Sequence, residues 1–153
     1  MTPAIIIAEK NKIDFKIHQY KHDKKAPSYG LEAAEKLNVD PLTVFKTLVV
    51  EVDSALVVAV LPVTEHLNLK AVASALKAKK AQMADKNDVL RSSGYVLGGV
   101  SPLGQKKRLT TLIDRSAQTH STIYVSAGKR GLEIELAASD LAKLLTANFV
   151  QLT

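Results

Sequence analysis

The run VFKTLVVEVDSALVVAVLP, residues 44–62, carries the clearest folding signal in the chain. Its first nine residues put Phe45, Thr47 and Val49 on one face of a strand and Lys46, Leu48, Val50 and Val52 on the other. Side chains alternate across a strand, so two largely apolar faces imply a central strand covered on both sides. Asp53–Ser54 turns the chain into a second strand, Ala55–Leu61, which Pro62 stops, and the pair reads as a hairpin. Lys46 is out of place, because an ammonium is rarely buried without a partner. It can lie at the strand's beginning with its stem inside and its charge in water. Alternatively it points into a pocket to meet an anionic or ester group. Both readings stand at this point.

Upstream, Thr2–Pro3 caps a helix over residues 3–11, with Asn11 at its end. Phe15–Tyr20 alternates as a strand, with Phe15, Ile17 and Gln19 on one face. Residues 21–28 form a polar loop, Leu31–Leu37 a helix closed by Asn38, and Asp40–Pro41 a capped turn to about Thr43. Downstream, Thr64 or Asn68 starts a helix to about Lys77, and Ala81–Met83 reads as a short strand. Asp85 or Asn87 caps a helix ending at Gly94, and Tyr95–Leu97 reads as a strand. Leu109–Ile113 and Thr122–Ser126 are β-branched strands; Ala127–Gly131 turns into a partner strand, Leu132–Leu136. Ser139 caps a last helix, Asp140–Thr146, and Phe149–Leu152 is a terminal edge strand. Interleaved helices and short strand connections predict one α+β domain over 1–153, its mixed, mainly antiparallel sheet curled toward a barrel with helices around it.

The 153 residues suffice for a real core. No apolar run approaches a membrane span, and MTPAIIIAEK lacks the basic flank and cleavage site of a signal peptide. The absence of cysteine excludes disulfides, thiolate metal sites and a cysteine nucleophile of the protein's own, and suits a cytoplasmic protein. The formal net charge is +6, with cations clustered at Lys21–Lys25, Lys77–Lys80, Gln105–Arg108 and Gly128–Arg130. Four such clusters make nucleic acid a serious candidate partner. Seven aromatic residues are too few for base stacking to dominate, so phosphate contact is expected instead.

Within Ser92–Arg108, SSGYVLGGVSPLGQKKR, the seven residues GGVSPLG hold three of the chain's seven glycines, Gly98, Gly99 and Gly104. A glycine-rich turn beside three cations can hold an anion or a developing oxyanion; the plainer reading is a tight turn with a solvated flank. Ser101 lies in this turn, but no histidine is near it in sequence to form a triad. His18, His22, His66 and His120 are scattered without metal-ligand spacing, and neither a metal nor a cofactor is expected. Glu133 and Glu135 share a strand face, where one of them could orient an amine. The residues alone thus leave two options: a binding module, or an enzyme in which the substrate or a water attacks.

Several segments, in order, carry a resemblance: MTPAI, EAAEKL (32–37), FKTLVV (45–50), MADK (83–86), SSGY (92–95), GGVSPLGQKKR (98–108), TIYVSAGKRGL (122–132) and DLAKLL (140–145). Together they resemble the YbaK-like trans-editing aminoacyl-tRNA deacylases, relatives of the editing insertion domain of bacterial prolyl-tRNA synthetases. The likeness spans nearly the whole chain and is greatest to the branch that hydrolyses Cys-tRNA(Pro). By that resemblance the essential lysine is Lys46, the pocket tyrosine Tyr20 and its threonine Thr47. The glycine loop is Gly98–Pro102, with Gly98 and Gly99 in a catalytic role and Ser101 and Pro102 toward substrate. A second loop supplies Ser126 and Gly128. The chain departs at Ala127, where glycine is usual and the change would narrow the pocket, and at Glu133, where aspartate is common.

The resemblance implies that the substrate's own thiol attacks the ester carbonyl, releases the tRNA and leaves a cyclic thiolactone. Lys46 would anchor the terminal adenosine's phosphate or ribose, and glycine-loop N–H groups would steady the oxyanion. The implied partners are aminoacylated tRNA and, as a second candidate, prolyl-tRNA synthetase, with no membrane role. The competing expectations are a non-catalytic tRNA- or synthetase-binding module and a deacylase for Ala-tRNA(Pro).

Overall fold

Strand Phe45–Val52 pairs antiparallel with Ala55–Pro62 as their alternation requires, Lys46 opposite Leu61 and Val52 opposite Ala55. Both turn residues take positive φ, Asp53 at 47° and Ser54 at 73°, the backbone twist that suits a two-residue hairpin. Around this hairpin the computed structural model describes all residues from Met1 to Thr153. In chain order the elements are α1 (Pro3–Lys10), β1 (Phe15–Gln19), α2 (Tyr29–Leu37), β2 (Phe45–Val52), β3 (Ala55–Pro62), α3 (Leu69–Ala75) and β4 (Ala81–Met83). There follow α4 (Lys86–Ser93), β5 (Thr110–Asp114), β6 (Ile123–Lys129), β7 (Leu132–Leu136), α5 (Ala138–Leu145) and β8 (Asn148–Val150).

The fold is α+β, but it holds two sheets rather than one curled sheet. Five strands run in the order β4-β2-β3-β5-β8 and three in the order β1-β7-β6. The second hairpin, β6–β7, takes β1 as its third strand, and a single bridge between Val44 and Tyr124 links the two sheets. Pairing is antiparallel except at β3–β5 and β5–β8.

Alternation along the first hairpin divides the core. Val58, Val60, Phe45 and Val49 pack with α1 and the three-stranded sheet through Ala4, Ala8, Val125 and Ile134. Val57, Ala59, Val50 and Val52 turn the other way, against Val72 of α3 and Leu152. The five-stranded sheet is therefore buried on both faces, and β3 is buried from Val57 through Pro62.

Most predicted caps form. Thr2 receives the Ile5 N–H, Asn68 rather than Thr64 caps α3, and Asp85 caps α4, which Gly94 ends at φ 81°. Asn38 ends α2 in the left-handed conformation. Two expectations fail locally. Tyr95–Leu97 forms no strand, and its backbone groups are met locally: Ser93 Oγ receives the Tyr95 N–H at 3.1 Å, and the Val96 carbonyl receives the Gly99 N–H at 3.0 Å. Ser139 lies inside α5, whose N-cap is Ala137 with no side-chain cap.

Candidate active site

A cleft of about 320 Å³ is lined by residues of both sheets. Phe45, Lys46, Thr47 and Leu48 all line it. Consecutive residues of a strand point to alternate faces, so four in a row reach one cleft only if it follows the strand's edge. That edge is open because β4 pairs only with Val50–Val52, the far half of β2. The three-stranded sheet supplies Ser126 and Glu133, the end of β1 supplies Tyr20, the start of α2 adds Tyr29, and loops add Gly98 and Arg130.

Lys46 is half-buried on this edge and forms none of the protein's ion pairs. Burial pulls its ammonium below the ordinary lysine range, and the Glu65 carboxylate partly opposes this. The pocket-facing reading of Lys46 is the one its position supports. Beside it, Thr47 Oγ1 is buried with no hydrogen-bond partner. Such a hydroxyl is costly unless something else, such as a ligand, completes it.

Glu133 is buried, and burial pushes its carboxyl up to about 8. Burial also raises the Tyr20 hydroxyl to about 12, with the Glu133 and Glu32 carboxylates adding to the effect. Glu133 and Glu135 thus have opposite environments on one strand. Glu135 receives His18 Nε2 at 2.9 Å and the Thr122 hydroxyl at 2.6 Å, and these bonds outweigh its own burial and hold its carboxyl below the usual range.

The glycine stretch divides. Gly98 lines the cleft at φ 87°, and its N–H donates to no backbone carbonyl. Gly99 does not line the cleft: its N–H donates to Val96 O at 3.0 Å, and a Cβ there would lie 2.8 Å from Lys129 Cα. Of the two expected oxyanion donors, only Gly98 is unengaged. Ser101 is fully buried, its Oγ accepting the Leu103 N–H at 3.2 Å, and Pro102 lines a separate groove beside Ile7 and Leu144. Gly128 packs under the site, where a Cβ would meet Tyr95 Cε1 at 2.9 Å; its N–H donates to Ser126 Oγ at 3.1 Å and so positions that serine. Ala127 is buried in the core and does not narrow the cleft.

Three contributors escaped the sequence reading. The Arg130 guanidinium lies 4.1 Å from the Tyr29 ring centroid and donates to the Leu97 carbonyl at 3.1 Å. Both belong to the cleft wall. Glu32, buried in the first turn of α2, receives His22 Nδ1 at 2.6 Å, the Asp23 N–H at 2.7 Å and the Lys36 ammonium at 3.2 Å. It pins the 21–28 loop that borders the cleft. The only local hints were Arg130's place in a basic cluster and the Glu32–Lys36 spacing of one helical turn. No group of three or more His, Asp or Glu side chains converges to hold a metal ion, and no helix is long and apolar enough to cross a membrane.

The aminoacyl-tRNA editing domain family matches residues 25–144. EbsC of Enterococcus faecalis, a candidate Cys-tRNA(Pro)/Cys-tRNA(Cys) deacylase, is 37% identical over 153 residues, covering 99% of this chain and 93% of its own. The proline--tRNA ligase of Shouchella clausii is 37% identical over 75 residues, 49% of this chain and 13% of that enzyme. Among solved structures, a candidate trans-editing enzyme for prolyl-tRNA synthetase superposes with a TM-score of 0.85 over 100% of this chain and 98% of its own, at 16% identity. The chain belongs to the aminoacyl-tRNA editing domain family, the YbaK-like group that its motifs resemble.

Proposed function

We propose that the protein is a trans-editing deacylase that removes cysteine from misacylated Cys-tRNA(Pro), with Cys-tRNA(Cys) as a further substrate. The observation that carries this reading is Lys46: a half-buried, unpaired ammonium on the open edge of β2, inside the cleft of a chain that belongs to an editing family. A cation so placed suits the phosphate or ribose of a terminal adenosine. The free Gly98 N–H is an available donor for the ester oxygen as charge develops on it. Thr47 Oγ1 and Ser126 offer further polar contacts within the same cleft.

The chain has no cysteine, so the proposed nucleophile is the substrate's thiol. Its sulfur forms a bond to the ester carbonyl carbon, the carbonyl pair moves to oxygen, and collapse breaks the bond to the ribose oxygen. The proton given up by the thiol ends on that ribose hydroxyl. Water then opens the thiolactone to free cysteine. Glu133, whose burial favours the protonated form near neutral pH, is favoured as a carboxylate once an α-ammonium enters beside it. Prolyl-tRNA synthetase is the proposed source of the misacylated tRNA.

The test is amino-acid release from Cys-tRNA(Pro), Ala-tRNA(Pro) and Pro-tRNA(Pro). Rapid loss of cysteine alone is expected. Loss of alanine would keep the deacylase and discard the thiol mechanism, and binding without hydrolysis of any ester would favour a tRNA-binding module.

A further inference from the structure

The four basic clusters lie far apart in sequence, yet the fold sorts them relative to the cleft. The three-stranded sheet does the sorting. Gln19 of β1 and Lys129 of β6 both pair with the same residue, Leu132 of β7, from opposite sides. The Tyr20 N–H then donates to the Gly131 carbonyl at 2.9 Å. This pairing brings Lys21 to the same sheet end as Lys129 and Arg130. The result is a second groove, of about 440 Å³, lined by these three cations and no acidic residue. It adjoins the cleft, since Tyr20 and Arg130 line both.

The cations of this groove are exposed, and none forms an ion pair. Arg130 is held ready by its stack on Tyr29 and its bond to Leu97, which use one face and one N–H of the guanidinium. The remaining donors of the fork stay available to a phosphate. The other clusters lie elsewhere. The Lys79 and Lys80 N–H groups bind the Asp53 carboxylate, seven residues along from Lys46 and so roughly 23 Å away at about 3.3 Å per residue. Arg108 bonds Thr146 at 2.7 Å, beside α5.

We infer that the groove of Lys21, Lys129 and Arg130 seats the phosphates at the 3′ end of the tRNA acceptor arm, while the Lys77–Lys80 cluster takes no part. This rests on the deacylase reading for the identity of the RNA. Phosphates entering along the groove would deliver the terminal ester past Arg130 and Tyr20 to Lys46.

The test is binding of uncharged tRNA(Pro), followed by fluorescence anisotropy between about 50 and 200 mM salt, by wild-type, Lys21→Ala/Lys129→Ala and Lys79→Ala/Lys80→Ala proteins of matched melting temperature. Losing two contacts to a single-stranded end should reduce the slope of log affinity against log salt by roughly 1.4 and weaken binding about ten-fold at the low-salt end. The Lys79/Lys80 variant should match wild type. Equal effects of the two pairs, or a larger effect at Lys79/Lys80, overturns the assignment. The readout needs no hydrolysis, so an inactive protein that still shows the difference would refute the deacylase reading alone. An active one with equal slopes would refute the groove alone.

Discussion

Arg130 stacks on Tyr29 with its guanidinium carbon 4.1 Å from the ring centroid, and the contact exists because Gly98 has no side chain. A Cβ at Gly98 would lie 2.3 Å from Arg130 Nε and 2.9 Å from Tyr29 Cε2, at a φ of 87° that L side chains rarely adopt. Gly98→Ala should therefore cost about 1–2 kcal/mol of stability from backbone strain, a fall of several degrees in Tm. It should lower kcat/KM for the aminoacyl-tRNA by roughly a hundred-fold, since the cleft wall must shift. Thermal melts and hydrolysis rates measured together check this; unchanged activity would show that the stack is incidental.

Thr47 links stability to function in the opposite sense. Its buried hydroxyl lacks a partner, so Thr47→Val removes an unsatisfied polar group at nearly constant shape. The variant should gain about 1 kcal/mol in stability and lose activity. A less stable variant with full activity would mean that the hydroxyl is satisfied in the native protein and unused by substrate.

Glu133 sets a pH dependence whose sign is definite. Its carboxyl is raised from 4.5 to about 8 by burial, so between these values the folded protein binds more protons than the unfolded chain. Stability from this group is full below 4.5 and falls as pH rises toward 8, by up to about 1.4 kcal/mol per pH unit. Glu133→Gln should flatten Tm against pH across this window. An identical slope in the variant would assign the effect to other groups.

Glu32 behaves in the reverse manner. Its burial raises the carboxyl, but bonds from the Asp23 N–H, His22 and Lys36 outweigh this and leave it below its ordinary value. Its contribution is present above the unfolded value of 4.5 and is lost as pH falls through the folded one. Glu32→Gln should loosen residues 21–28 at neutral pH, read as faster amide exchange at Asp23, with smaller effects in the five-stranded sheet. Unaltered exchange at Asp23 would show that the loop is held by other contacts.

The first hairpin and the helix caps were legible because their signals are local: alternation across Val44–Leu61, Thr2 before Pro3, Asp85 before α4. Lys46 stood out for the same reason, as a charge in an apolar pattern. Two sheets in place of one curled sheet were not legible, since the choice of β1 by β7 depends on pairing across more than a hundred residues. Tyr95–Leu97 reads as a strand by composition, yet Ser93 Oγ and the Gly99 N–H take up backbone groups of the segment. Within the GGVSPLG run, residue types could not separate Gly98, which faces the cleft, from Gly99 and Ser101, which do not. Arg130 meets Tyr29 and Leu97 only through tertiary structure, and no spacing in the chain foretells it.

The proposed function requires that the ester be cleaved in the cleft beside Lys46. Single-turnover hydrolysis of Cys-tRNA(Pro) by wild-type and Lys46→Ala proteins of equal folded content tests it most directly. Rapid cysteine release is expected from wild type, with a loss of at least about a hundred-fold in the variant, the scale expected for removing one electrostatic contact to the reacting end. Release at the wild-type rate by Lys46→Ala would contradict it and place the chemistry elsewhere on the protein.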